Sequence, residues 1–397
     1  MHIAIYSPSW PPGKLPNGIV TYVKWLSGEL RVQGHRVSIV AGKLDLNNTD
    51  IDAYVVQKKW LARLIDAIKS KVFDIRETVF DYERQISETI LAIHKKTPID
   101  IIEIEESFGW ASGVRRRTQI PVVCKLHGPA FLHLVDEELK TPFGMEKVKN
   151  EGEALTSLDI IISPSDHHLR KTLEKYNLNP RFAKRVNNPI GQSEDLSLWN
   201  SACAQKGVIL FVGRFDKIKG GDIVINAFRE LLRTRPDMKL IFVGPDSGLI
   251  NSTGVKIGII DFIESFNDPL LTAGIQYLGK RLPSEISVLR TQAMVTIVAS
   301  RLENQNYTAL EAMLQGCPLV CTDTSGMAEI VEHEVTGLKV HPDDHIEMAK
   351  QVARLLDDPS LGKSLGLAAR KYVQDNHSPE CVAAETIAAY DAAMRQS

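Results

Sequence analysis

The chain has 397 residues, a length that suits two domains at roughly 100–200 residues each. With 44% hydrophobic and 24% charged residues it has enough apolar content for two cores, which excludes a disordered chain. Lys and Arg total 47 against 49 for Asp and Glu, so no basic excess points to nucleic acid, and no run approaches the roughly 18 apolar residues of a membrane span.

His2-Ile3-Ala4-Ile5-Tyr6-Ser7 reads as a strand start and not as the charged opening of a signal peptide. Further strands are predicted at 37–40, 99–104, 121–126 and 159–163, with helical patterns at 19–31, 76–94 and 165–175. Short Ile, Val and Leu runs between polar turns fit strands buried on both faces, and their alternation with helices gives βαβ units. Residues 189–207 are polar without a sustained period. The pattern then restarts, with strands predicted at 208–212, 239–243, 275–278, 294–298 and 318–322. The α/β reading is two doubly wound Rossmann-like domains, 1–193 and 194–378, joined near residue 195. Residues 345–396 are helical by pattern, broken at Asp358-Pro359 and again at Asn376-His377-Ser378-Pro379, where Pro379 suits the first turn of a last helix. Five cysteines form no zinc spacing and read as buried free thiols of a reducing compartment.

Open parallel sheets bind ligands beyond the carboxyl ends of their strands, so informative residues should follow strands. After the first strand comes Pro11-Pro12-Gly13-Lys14-Leu15-Pro16-Asn17-Gly18, with Gly18 opening a helix whose amides attract anions. After 208–212 come Gly213-Arg214 and Lys219-Gly220-Gly221, two cations suited to a diphosphate. The segment is not a P-loop, and no Gly-x-Gly-x-x-Gly follows any strand. After 294–298 comes Ser300-Arg301-Leu302-Glu303-Asn304-Gln305-Asn306-Tyr307-Thr308-Ala309-Leu310-Glu311. Two helical glutamates at this spacing would lie about 12 Å apart, too far for the roughly 5 Å pair of a retaining glycosidase. Two separate polar tasks on one ligand fit better, with Glu303 in the loop and Glu311 on the helix. His127, before Gly128-Pro129, ends a strand and can point at the same crevice. The remaining histidines, His167, His168 and His333 among them, lack metal-ligand spacing, so no metal is expected.

Residues 58–72 carry Trp60, Leu61, Leu64, Ile65, Ile68 and Val72 at helical spacing, flanked by Lys58, Lys59, Arg63, Lys69 and Lys71. The pattern fits a domain helix with a solvated basic face. It also fits a basic amphipathic helix in peripheral contact with an anionic membrane, which would place the protein on an inner, cytoplasmic membrane face.

Together these motifs resemble the family-four retaining glycosyltransferases of GT-B fold. The resemblance spans nearly the whole chain: Pro11-Pro12 with Gly18, Gln33-Gly34-His35-Arg36-Val37, Ser163-Pro164-Ser165, Asn188-Pro189-Ile190, Gly213-Arg214 with Lys219-Gly220, and Glu303-x7-Glu311. It implies two domains facing across a cleft, with the last helix crossing back to complete the first, acceptor-side domain and the second binding a nucleotide-sugar donor. Arg214 and Lys219 would hold the diphosphate, near Asn17 and Gly18. Glu311 would bind the ribose, and Gly279-Lys280-Arg281-Leu282 would meet the base. Glu303 with Asn304, Gln305, Asn306, Tyr307 and Thr308 would hold the sugar, which His127 would face from the first domain. Two departures stand out. Asn17-Gly18 replaces a glycine pair, and Asn304-Gln305-Asn306 replaces Gly-aromatic-Gly. Met294 replaces a common Asp, a change read as structural.

The implied reaction moves a hexose from a UDP- or GDP-sugar to a glycan, lipid-linked or small-molecule hydroxyl with retention. The donor is a co-substrate, and neither a cofactor nor a metal is required. Another GT-B enzyme such as an epimerase, or an inactive sugar-nucleotide-binding protein, remains open. The acceptor and the oligomeric state have no signature in the sequence.

Overall fold

A computed structural model describes residues 1–12, 17–45, 49–50, 52–56, 75–134, 136–192, 197–250 and 254–395. The amphipathic stretch 58–72 lies outside these residues. The chain divides into two compact units, Met1–Pro189 with Pro379–Ser397, and Ile190–Ser378.

The first unit is built on seven strands: β1 (His2–Ser7), β2 (Arg36–Ala41), β3 (Ala53–Val55), β4 (Ile101–Glu105), β5 (Val122–Lys125), β6 (Ile160–Ser163) and β7 (Phe182–Arg185). They form one sheet in the order β3-β2-β1-β4-β5-β6-β7, and every pair is parallel. The β1–β2 register runs from His2 opposite Arg36 to Ser7 opposite Ala41. All six residues of β1 are buried, the expected result for a central parallel strand covered on both faces. The edge strands β3 and β7 escape sequence reading because they are short and partly exposed, with no apolar run to mark them.

The helix Gly18–Val32 follows β1, and Ile75–Lys96 precedes β4. The last helix, Pro379–Met394, belongs to this first unit. It buries Val382, Ala383, Thr386, Ala389, Tyr390 and Ala393, and its alanines allow close packing. At its end the Tyr390 hydroxyl donates to Glu103 Oε2 at 2.8 Å. The Tyr22 hydroxyl donates to the other oxygen of the same carboxyl at 2.9 Å.

The second unit holds β8 (Val208–Val212), β9 (Lys239–Val243), β10 (Leu249–Ile250), β11 (Lys256–Ile257), β12 (Ile275–Gly279), β13 (Val295–Val298), β14 (Leu319–Thr322) and β15 (Leu338–Val340). Six of these make a parallel sheet in the order β12-β9-β8-β13-β14-β15, while β10 and β11 pair antiparallel. Phe211, Phe228 and Phe242 lie in its main core beside Val224, Leu240 and Ile297.

The division between units falls at Pro189–Ile190, a few positions before the polar run suggests. Ile190 is buried against Leu310, Met313 and Leu319 and its N–H donates to His377 O at 2.8 Å, so the chain is already committed to the second core there. Cys124, Cys317 and Cys321 are buried free thiols, but Cys203 is exposed and Cys381 half-buried, which corrects the expectation for those two.

Candidate functional site

A polar cluster of the second unit lies in the loops after β8 and β13, at the carboxyl ends of neighbouring strands. Gly220 is in the left-handed region at φ +70° and opens the helix Gly221–Leu232. In the loop before it, Arg214 Nε lies 2.7 Å from Asp216 Oδ2. The second Asp216 oxygen accepts the Lys219 N–H at 2.7 Å. One carboxylate thus orients both the guanidinium and the backbone that carries the lysine. The Arg214 side chain is 49% exposed and available to a ligand.

The Lys219 ammonium pairs with Glu303 Oε1. Asn306 Nδ2 donates to the same oxygen at 2.8 Å, while Asn306 Oδ1 caps the helix Tyr307–Leu314 by accepting from Ala309 N–H at 3.1 Å. Asn306 therefore ties the helix start to the acid, a double task that the glycine of the family pattern cannot perform. Asn304, Gln305 and Asn306 are all buried, while Tyr307 and Thr308 are half-buried.

Two long-range features hold this loop. Arg301 donates to both Asp222 oxygens at 2.9 and 2.7 Å and to Lys217 O at 2.5 Å, and it also meets Asp343 Oδ1 at 2.6 Å. It locks the loop after β13 to the loop after β8. On the other side, Ser325 Oγ accepts from Glu303 N–H at 3.1 Å, and Gly326 N–H donates to Glu303 O at 3.0 Å. A Cβ on Gly326 would sit 1.4 Å from the Asn304 carbonyl oxygen, so only glycine fits there.

Glu311 lies on the helix, with Glu303 in the loop before it. Arg290 pairs with Glu311 and is itself buried, so it fixes the carboxylate while the glutamate keeps 36% of its side-chain surface. Burial, with a smaller push from Glu311, raises the Tyr307 phenol well above its ordinary value. Beyond β12, Lys280 is exposed and Arg281 lies 3.8 Å from Glu285. Leu282 is 42% exposed, and its N–H donates to Glu285 Oε2 at 2.7 Å. This stretch is a surface turn held by a helix-capping glutamate.

In the first unit, His127 follows β5 and is half-buried. The Glu106 carboxylate accepts its N–H at 2.8 Å and the Gly128 N–H at 2.5 Å, which sets the turn. The imidazole meets the Tyr22 ring edge-on at 4.9 Å. Burial, helped by the Lys125 charge, pushes the His127 pKa down to about 3, so the ring is neutral throughout the ordinary pH range. Asn17 is the N-cap of Gly18–Val32, and its Oδ1 accepts from Ile19 N–H at 2.9 Å and Val20 N–H at 3.3 Å. Two amides offered to an anion in the sequence reading are thus engaged by the chain itself. Among the described residues, no group of three or more His, Cys, Asp or Glu side chains is arranged for a metal, and no helix is long and apolar enough to cross a membrane.

Sequence reading missed Asp216, Arg290, Arg301, Ser325, Gly326 and Glu106 as positioning groups. Arg301 lies inside a quoted motif and Asp216 between Arg214 and Lys219, and both were legible as charges beside a loop. Arg290 and Gly326 carry no local signal, because their partners lie far along the chain.

The two sheets with these strand-end loops define a GT-B architecture. Residues 16–191 match the family model described as Glycosyltransferase Family 4, and residues 200–372 match that of Glycosyl transferases group 1. The chain belongs to this glycosyltransferase family. It is 27% identical to a D-inositol 3-phosphate glycosyltransferase from Corynebacterium aurimucosum over 68% of each chain. Two further curated relatives, a glycosyltransferase from Methanocaldococcus jannaschii and a D-inositol 3-phosphate glycosyltransferase from Segniliparus rotundus, are matched over 52% and 65% of their length. Its fold is similar to that of sucrose-phosphate synthase from Thermosynechococcus elongatus, with a TM-score of 0.76 and 21% identity over all of both chains. It is also similar to Anabaena HepE, solved in complex with UDP-glucose, with a TM-score of 0.65 and 16% identity over 98% of this chain and 99% of that one.

Proposed function

We propose that this protein is a retaining glycosyltransferase that moves a hexose from a nucleotide diphosphate sugar to a hydroxyl of a glycan, lipid-linked or small-molecule acceptor. The observation that carries this reading is the joined set Arg214–Asp216–Lys219–Glu303–Asn306 at the ends of β8 and β13. It places two cations beside hydrogen-bonding carboxylate and amide groups, the chemistry of a diphosphate attached to a polyol. A UDP-sugar is the favoured donor, since the similarly folded Anabaena protein was solved with UDP-glucose.

In the proposed reaction the bond from the anomeric carbon to the diphosphate oxygen breaks, and its electron pair leaves with the nucleotide diphosphate. Arg214 and Lys219 stabilise the charge that develops there, so no divalent ion is needed. The acceptor oxygen bonds to the same face of the anomeric carbon, and its proton passes to the departing phosphate. Glu303 and Asn306 hold sugar hydroxyls, and Glu311, fixed by Arg290, takes the ribose. The neutral His127 imidazole suits a hydrogen bond to the sugar and adds no charge to it.

The test is a screen of UDP-glucose, UDP-galactose and GDP-mannose, reading hydrolysis without acceptor and then transfer to candidate acceptors. Slow hydrolysis of one donor and an α-linked product from an α-linked donor are expected, at an undiminished rate in excess EDTA. An inverted product overturns retention. Conversion of the donor to its epimer without acceptor assigns the protein to the alternative class.

A further inference from the structure

A cavity in the second unit lies apart from the loops after β8 and β13. It has a volume of about 310 Å³ and is lined by Leu198, Trp199, Asn200, Ser201, Gln315, Gly316, Lys363, Leu367 and Arg370. Gln315 and Gly316 lie before β14, whereas Glu303 lies after β13, so in this parallel pair the two sites sit at opposite edges of the sheet. The helix Tyr307–Leu314, about 12 Å long, separates them.

The cavity has an unusual charge balance. Lys363 and Arg370 both line it, and none of its described lining residues is an acid. Among the described residues neither cation has a carboxylate within ion-pair range, although most other arginines of this unit do. The Arg370 Nε is buried and has no hydrogen-bond partner, and neither has Gln315 Oε1. Gln315 is 1% exposed, and its amide nitrogen is held by Ser197 O, Ser287 O and Ser287 Oγ, so its orientation is fixed. A buried donor and a buried acceptor without partners are costly.

The helix Pro359–His377 brings the cations there. Lys363, Leu367 and Arg370 follow one another at helical spacing on one face. Beside that face, Gly362 and Gly366 allow close approach: a Cβ on Gly366 would meet Gly316 O at 2.0 Å, and one on Gly362 would meet the Pro318 ring at 3.1 Å.

We propose that this cavity is a binding site for a hydroxyl-bearing phosphate monoester of about the size of a hexose phosphate. Two cations lining one cavity, with no acid among its described lining residues, suit a dianion, with the Arg370 fork engaging phosphate oxygens. Asn200 and Ser201, exposed at the wall, provide polar groups for the ligand hydroxyls. Trp199 and Leu198 offer apolar surface to the carbon face of the ring. The site stands independently of the donor reading.

The experiment titrates glucose 6-phosphate, inorganic phosphate and glucose into the full chain by calorimetry, with tryptophan fluorescence as a second signal. Saturable binding is expected for the ester, weaker binding for phosphate, and none for glucose. Lys363→Glu, at an exposed position, and Arg370→Lys should each weaken binding at least about tenfold, as loss of a charge-assisted hydrogen bond predicts. Arg214→Ala and Lys219→Ala should leave it within about twofold by the same measure. The proposal is overturned if the ester shows no saturable binding up to about 10 mM, a limit well above the millimolar range of weak specific sites. It is equally overturned if Arg214→Ala abolishes binding while both cavity variants retain it.

Discussion

The two units bury charge in opposite ways. In the first, β4 and the turn after it place Glu103, Glu105 and Glu106 almost wholly out of water, with Lys125 on β5 and Glu151 on the helix Pro142–Leu155. Burial, reinforced by Glu106, pushes both Glu105 and Glu151 up to about 8. In the second unit, the buried Glu303 and Arg290 each have an oppositely charged partner that reaches partly into solvent. The first arrangement ties protonation to folding. The second holds charges in place for an ionic ligand, since pairing offsets part of the cost of taking them out of water.

The sharpest test removes the ligand-facing cations. Arg214→Ala and Lys219→Ala should each slow transfer by about 10²–10³, the usual scale for a lost electrostatic group. Arg214→Ala should leave thermal unfolding unchanged, because that side chain is half exposed. Normal turnover in either folded variant would remove the diphosphate assignment. A smaller effect is expected at Gly326→Ala. Its Cβ must displace the Asn304 carbonyl, which should lower turnover and destabilise the second unit by about 1–3 kcal/mol, read by chemical denaturation.

In the first unit, Tyr390→Phe leaves one Glu103 oxygen without its hydroxyl donor. A cost of about 1–3 kcal/mol follows for a buried unsatisfied group. Hydrogen exchange should show lost protection in Pro379–Met394 and none in the second unit. Equal loss in both units would break the contrast drawn above.

The gentlest probe is pH. The folded state keeps protons on Glu105 and Glu151 up to about 8, while the unfolded chain releases them above its ordinary 4.5, so rising pH across that window disfavours folding. His127 and His168, pushed down to about 3 and about 2 by burial, act in the other direction. The unfolded chain takes up their protons below 6.5, so falling pH through that value also disfavours folding. On these four groups the two effects oppose each other between about 4.5 and 6.5, and each acts alone outside that window. The second unit should vary little over this range, because its strongly shifted Cys317 and Cys321 lie up at about 12. Hydrogen exchange at pH 5.5 and pH 8 separates the two behaviours. A parallel change in both units would contradict the assignment.

The sequence by itself determined the two parallel sheets, the central strands and the cluster from Glu303 to Glu311. Those features are local: an apolar run, a helical period, charged residues that follow a strand. Edge strands β3 and β7 were not legible, because half-exposed strands lose the apolar run. Residues 189–207 suggested a link near 195, but burial of Ile190 moved the division earlier. Only the tertiary structure showed that Lys219 pairs with Glu303, that Arg290 fixes Glu311, and that Gly326 bounds the Asn304 carbonyl. It alone brought Lys363 and Arg370 beside Gln315. These contacts join residues from separate strands and helices, and their energy depends on distances that strand order and helix packing set, which no local pattern encodes.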